Sequence, residues 1–484
     1  MRFNIDHFFR RQGGTILLVV VLFAGGWISC TKLVQIPPPA NSITTSQVFA
    51  DSVDATAALD GIYSSMGYTQ TSVEFGDGLL TVYCGLSADE LEDFNLTYQD
   101  LDYNILKATD GITDQFWLNA YTYLYPINSC IESVQSSTGI SSGAKNQFIG
   151  EAKFLRALCY FYLVNLYGDV PLIVGTDYQV NDVAARTPVT QVYQQIVDDL
   201  KDAQNILPLG YAISKGQRTR ANQVAATALL ARVYLYEGDW ADAATQATSV
   251  INNSTYSLVG NLNNVFLANS TEAILQWQVN TNDYPYNATA EGATILPGSP
   301  GQPPSFYLNP LLLNAFEPGD QRYTAWVDSV NYNGVNYYYP YKYKIGFSQS
   351  SPNSPATEYY MVLRLAEQYL IRAEAEANGA NGGDAAAVSD LNVIRGRAGL
   401  PLLGDTLTAS QVLAAVAQER RIELFSEWGQ RWFDLKRTEA VDSVMTLATP
   451  LKGGNTTWAT YQQYYPVPLG DIQYDANLHQ NAGY

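Results

Sequence analysis

The chain has 484 residues, 47% of them hydrophobic, enough apolar material for a large globular domain with a sizeable core rather than a disordered polymer. Its 46 acidic residues outweigh 27 basic ones for a formal charge of −19, and no basic stripe interrupts that balance, so DNA and RNA are excluded as partners. Only two histidines occur, His7 and His479, which removes histidine-based nucleophilic triads and His-rich metal sites.

The N-terminus reads as a targeting segment. Arg10 and Arg11 precede the apolar run "TILLVVVLFAGGWI", followed by Ser29-Cys30, the order of a bacterial lipoprotein signal over residues 1–29 with lipidation at Cys30. Trp27 stands where such signals usually carry Leu. Loss of Arg2, Arg10, Arg11 and Asp6 with the signal would take the charge from −19 to −21. The following "TKLVQIPPPANSITT" is Pro- and Ser/Thr-rich, a tether composition. The other cysteines, Cys84, Cys130 and Cys159, are odd in number and widely spaced, so they form neither a disulfide framework nor a zinc site. No cofactor motif and no metal-ligand set is evident.

Residues 68–110 form a first loop-rich insertion, alternating Gly, acidic and aromatic residues. Within it "SADELEDFN" (87–95) carries Asp89, Glu90, Glu92 and Asp93. A glycosidase carboxylate pair, a Ca²⁺ loop and a solvated acidic turn all fit this run. The stretch 114–135 is helical in pattern, with Pro126 expected to kink or break it. "GISSG" (139–143) matches a nucleophile elbow in letters but lies between helices without a preceding strand, and reads as a flexible loop. A helix follows to about Tyr167, with Leu155, Leu158, Cys159, Tyr162 and Leu166 on one face and Gly168 and Pro171 at its exit.

Residues 222–252 place Ala231, Tyr234, Gly238 and Ala243 at tetratricopeptide spacing. Residues 362–400 repeat the helix–turn–helix plan, and Thr408 with Gln411 makes a capping-box pattern before a further helix. A second loop-rich insertion, 281–350, has Pro and Gly punctuation, many of the chain's 35 tyrosines and room for short strands only. The predicted fold is therefore mainly α: an irregular tetratricopeptide-like scaffold of helical pairs over about 111–255 and 355–437, with loop-rich insertions and a few short β-strands.

"QERRIELFSEWGQRWFDLKR" (418–437) has nine charged residues in twenty, five positive and four negative, beside the apolar stripe Ile422, Phe425 and Trp428. In a helix continuing through Gly429, Glu419, Glu423 and Glu427 would stack at i, i+4, with Arg431 one step beyond. Balanced charge beside a large apolar stripe describes a paired helix–helix seam, hence scaffold.

Four stretches together carry a resemblance: "ERRIELFSEWGQRWFDLKR", "EAKFLRALCYFYLVNLYGDVPLI", "LRLAEQYLIRAEA" and the terminal "YYPVPLGDIQYDANLHQNAGY". With the lipoprotein start, they are similar to the SusD/RagB nutrient-uptake outer-membrane lipoproteins of Bacteroidetes. Thr438 replaces a frequent Trp, and "TKLVQ" after Cys30 lacks the acidic pair that often marks surface export in these bacteria. The resemblance implies residues 30–484 as one SusD-like domain without catalytic residues. It implies lipid anchoring to the outer membrane, facing the cell surface, as lid and ligand-capturing surface of a SusC-like TonB-dependent transporter. The ligand it implies is an oligosaccharide or, in RagB-type members, a peptide.

In such proteins part of an aromatic arc follows a Thr-Asp-Glu stretch; here Ala88-Asp89-Glu90 takes that place. The ligand residues this implies are Phe94, Asn95, Tyr98 and Gln99, joined from the second insertion by Tyr284, Tyr286 and Tyr307. Tyr341 and Tyr343, in "PYKYKIG", are expected to be structural. A helical surface glycoside hydrolase using a carboxylate pair is the competing function, and an assembly scaffold without a ligand is a third.

Overall fold

The computed structural model describes residues 48–67, 78–404 and 406–484. The signal segment, Cys30, the tether and residues 68–77 lie outside the described residues. The longer helices are α1 (Ser52–Gly67), α2 (Leu79–Ser87), α3 (Gly111–Ser136), α4 (Ser142–Tyr167), α5 (Val189–Ile206), α6 (Gln223–Glu237), α7 (Trp240–Ile251), α8 (Leu365–Ala377), α9 (Gly383–Arg397), α10 (Ala409–Glu423), α11 (Gln430–Arg437) and α12 (Val441–Ala448). Strands are short, and those of three residues or more are β1 (Leu91–Asp93), β2 (Ala273–Trp277), β3 (Phe306–Leu308), β4 (Val327–Tyr332), β5 (Val335–Pro340) and β6 (Tyr360–Arg364). Among the described residues no helix is long and apolar enough to cross a membrane.

The helices from α3 to α9 stack mainly on their neighbours in sequence. Small residues permit the close approach: Ala225, Ala228 and Ala231 of α6 and Ala243 and Ala247 of α7 are fully buried. Gly238 turns the chain between them at φ 74°, a conformation that favours glycine. The second insertion falls between α7 and α8, yet these two helices pack directly on each other. The stack stays continuous because β2 and β6, flanking the insertion, pair antiparallel (Trp277 with Tyr360, Ala273 with Arg364). The insertion leaves and re-enters the scaffold at one place.

Several local expectations change. α3 runs unbroken past Pro126. Proline removes one backbone donor there, while buried Tyr123, Leu124, Ile127, Cys130 and Val134 hold the helix to its neighbours. Residues 137–141 form a short loop into α4, as expected: Ser141 caps the helix by accepting from Ala144 N, and Gly139 lies against the Ala50 carbonyl. Residues 360–364, at the start of the predicted 362–400 unit, form strand β6. Thr408 N donates to Gln411 Oε1 at 2.9 Å, as the capping pattern predicts.

The helix through Glu427 and Gly429 does not form. α10 ends at Glu423, the chain reverses through Ser426, Trp428 and Gly429 at positive φ, and α11 begins at Gln430. The reversal carries Trp428 into the core against Tyr162, Trp277 and Tyr360. Its indole donates to the Met361 carbonyl at 2.6 Å. Gly429 is needed for space as well as for φ, since a Cβ there would lie 2.5 Å from that of Cys84.

The charges of 418–437 are buried and paired. Glu423, fully buried, accepts from Arg364 Nη1 at 2.7 Å and Arg322 Nη1 at 3.2 Å, and pairs with Arg397. Burial alone would raise its pKa; these three guanidiniums hold it far below the ordinary carboxylate range. Glu427 engages Arg364 and Lys342, and Glu419 engages Arg322 and Arg395. The stretch is scaffold, as its charge balance indicated. Cys84, Cys130 and Cys159 are free, buried thiols, and burial pushes that of Cys130 up to about 12.

A candidate ligand-binding face

Two of the short strands bring the insertions together. β1, from the first, pairs antiparallel with β3, from the second, with Glu92 opposite Tyr307 and Asp93 opposite Phe306. The β4–β5 hairpin turns on Asn333-Gly334, both at positive φ, the geometry of a tight two-residue loop. It lays Tyr332 and Tyr337 beside this pair. Phe94, just past β1, meets Tyr337 edge-to-face at 5.1 Å and Tyr332 at 6.1 Å. Tyr307 meets Tyr337 at 5.2 Å, again close to perpendicular. The four rings brace one another in the geometry their quadrupoles favour and remain half-exposed.

The polar groups around the rings are positioned by the same strands. Tyr307 OH donates to Glu92 Oε2 at 2.7 Å and Asn309 Nδ2 donates to Glu92 Oε1 at 2.9 Å, so this carboxylate orients a ring of the face. Burial raises the Glu92 pKa despite the Tyr307 bond. Asp93 accepts from the backbone amides of Asn95 and Tyr98 and shapes the following loop. Asn95 and Gln99 are exposed at its rim.

The predicted residues divide. Phe94 and Tyr307 lie in one ring cluster, with Asn95 and Gln99 in the adjoining segment. Tyr98 is half-buried below, between Tyr83 and Phe306. Tyr284 and Tyr286 form a second cluster with Phe347, and no ring contact among the described residues joins it to the first. Tyr332 and Tyr337 are the members that sequence reasoning missed. The Asn-Gly turn signal in "NYNGVNYY" marks the hairpin, but only its docking against β3 selects these two tyrosines. Tyr343 is buried and its hydroxyl accepts from Met361 N at 2.9 Å; Tyr341 is half-buried, with Lys344 over its ring.

The acidic run is fixed into the fold. Asp89, 2% exposed, accepts from Arg421 Nη2 at 2.7 Å and Arg431 Nε at 2.7 Å, and these cations hold its pKa down at about 2 against the opposing effect of burial. Glu90, 1% exposed, is pushed up to about 8, first by burial and then by neighbouring Asp89. Neither presents an open carboxylate to the face. Among the described residues no group of three His, Cys, Asp or Glu side chains is placed to hold a metal ion. The charged 418–437 stretch thus anchors the root of the strand that carries the candidate site.

Residues 230–484 match the model of the SusD family. The chain belongs to the SusD family. Residues 44–235 match a further SusD-like model described as starch-binding and associating with the outer membrane. The SusD-like protein P2 of Formosa agariphila is 27% identical, over 94% of this chain and 97% of that protein. The starch-binding protein SusD of Bacteroides thetaiotaomicron is also 27% identical, over 69% of this chain and 72% of its own length. The crystal structure of a SusD-like protein from Bacteroides fragilis superposes with a TM-score of 0.76 at 22% identity, covering 93% of this chain and all of that one. The mainly helical scaffold with short strands is thus the SusD-family fold.

Proposed function

We propose that this SusD-family chain binds an oligosaccharide without cleaving it, on the face formed by Phe94, Tyr307, Tyr332 and Tyr337. The observation that carries the reading is the braced, half-exposed ring cluster with free amides at its edge. Sugar C–H faces lie flat on aromatic rings, and Asn95 and Gln99 supply donors and acceptors for hydroxyls. The starch-binding relative and the starch-binding family model support a glycan over a peptide. Asp89 and Glu90, buried in the scaffold, argue against the hydrolase reading. Lipidation of Cys30 would hold the protein at the outer membrane, facing the cell surface. There it would deliver ligand to a SusC-like TonB-dependent transporter and close over it as a lid.

An open platform excludes water poorly, so dissociation constants of about micromolar to millimolar are expected, or about −8 to −4 kcal/mol. The test is titration calorimetry of wild type and a Phe94→Ala/Tyr337→Ala variant against neutral oligosaccharides, with co-purification of the transporter. Loss of glycan affinity with the transporter complex intact supports the reading. Unchanged affinity moves the site elsewhere, and release of reducing ends by the wild type overturns the non-catalytic assignment.

A further inference from the structure

A cleft lined by none of the face's rings opens between α1, the loop 213–220 and the segment that leaves β2. Its volume is about 770 Å³, within the range that accommodates an oligosaccharide-sized ligand, and none of Phe94, Tyr307 or Tyr337 lines it. Its wall at residues 277–280 is shared with a small cavity that reaches Tyr286, and Thr281 and Asn282 of the second insertion also line it.

The lining is built rather than incidental. Glu151, fully buried, accepts from Arg220 Nε at 2.8 Å and Arg220 Nη2 at 2.9 Å, which fixes the guanidinium. Arg220 Nη1 in turn donates to Asp60 Oδ1 at 3.0 Å, which orients that exposed carboxylate and leaves Oδ2 as an acceptor. Across the cleft the side chains of Gln278, Thr219 and Lys215 have no hydrogen-bond partner among the described residues. Gln217 uses only its carbonyl oxygen, on Tyr359 and Asn269, so its amide nitrogen is also unengaged. Here an oriented carboxylate faces amides, a hydroxyl and an ammonium, the pattern that matches a ligand dense in neutral hydroxyl groups. A polyanion would meet Asp60, and an apolar ligand would strand these donors.

We infer that this cleft is a second saccharide site, independent of the ring face. Asp60 would accept from a pair of sugar hydroxyls, and Gln278 and Gln217 would bond their neighbours. The chemical class rests on the function proposed above; the separateness of the site does not.

The experiment is titration calorimetry of the full chain in detergent with maltoheptaose, laminariheptaose, cellohexaose and xylohexaose. It compares wild type, Phe94→Ala/Tyr337→Ala, Asp60→Ala/Gln278→Ala and the quadruple variant. Asp60 and Gln278 are exposed, so the fold should survive, and unchanged thermal melts check this. A Gln278→Trp variant blocks the cleft by bulk as a second route to the same result. The expected outcome is residual binding in the ring-face variant that falls tenfold or more in the quadruple variant. If the ring-face variant binds nothing, and neither Asp60→Ala/Gln278→Ala nor Gln278→Trp alters wild-type stoichiometry, the cleft is overturned and the ring face stands. If the cleft changes alone abolish binding, the cleft stands and the ring face falls. If the wild type binds none of the four, both are overturned.

Discussion

The charged seam around Glu423 and the aromatic face around Phe94 use opposite physics. In the seam, Arg322, Arg364, Arg397 and Lys342 meet Glu419, Glu423, Glu427 and Glu272 almost wholly out of water. Each charge is committed to several partners, so the geometry is rigid and nothing is left to recognise a ligand. On the face the rings are neutral and half-exposed, and the amides at their rim are open to solvent. The densest run of charge in the sequence therefore marks structural rigidity. The face proposed to bind ligand lies where charge is sparse and polar groups are unengaged. Asp89 joins the two regions, since it receives Arg421 and Arg431 from the seam and sits four residues before Asp93 at the end of β1.

That contrast can be broken from its strongest side first. Glu423→Ala removes the carboxylate shared by three buried guanidiniums, leaves their cluster one buried negative charge short, and should cost about 3–5 kcal/mol in chemical or thermal unfolding, with ligand affinity of the folded fraction unchanged. A stable variant with lost binding would place function in the seam instead. Glu291, buried in the second insertion and accepting from Thr81 Oγ1 of α2 at 3.1 Å, gives a pH signature. Burial raises its pKa from 4.5 to about 8, so folding takes up a proton between those values and stability falls as pH rises through that window. Glu291→Gln should gain on wild type by up to about 3 kcal/mol between pH 5 and pH 8, read from melts at both.

Asp89 has the opposite sign. Its pKa is lowered from 3.8 to about 2, so its contribution is present above pH 4 and lost as pH falls toward 2. Asp89→Asn should lose about 2 kcal/mol at neutral pH and flatten that acid limb. On the face, Phe94→Ala/Tyr337→Ala should weaken oligosaccharide binding tenfold or more, about 1.4 kcal/mol, with a smaller effect on melting than any seam variant. The smallest effect sharpens the boundary of the face. Tyr284→Ala, in the separate ring cluster, should change affinity at the platform by less than about threefold, equivalent to well under 1 kcal/mol.

Parts of this were legible from residue order because they depend on local periodicity. The α6–α7 unit follows from small residues at helical spacing with Gly238 at the turn. The start of α10 follows from Thr408 and Gln411, and the scaffold character of 418–437 from its balanced charge. Pro126 misled because the cost of one missing backbone hydrogen bond is local, whereas the packing that overrides it is not. The reversal at 424–429 was hidden for a similar reason. A run with helical spacing in both charge and apolar residues breaks so that Trp428 can reach the core and Glu427 can reach Lys342 and Arg364, partners 63 to 85 positions away.

Sequence by itself determined the family, the mainly helical class and which insertions hold the aromatic residues, because composition, periodicity and motif order are properties of the chain. Only the tertiary structure decided that Phe94 and Tyr307 share a face with Tyr332 and Tyr337, that Tyr98 lies beneath it, and that Tyr284 and Tyr286 form another cluster. A tyrosine that stacks on a ligand and one that fills a core are the same letter. The difference between them is set by which strand pairs with which across more than 200 positions, and no local signal encodes that pairing.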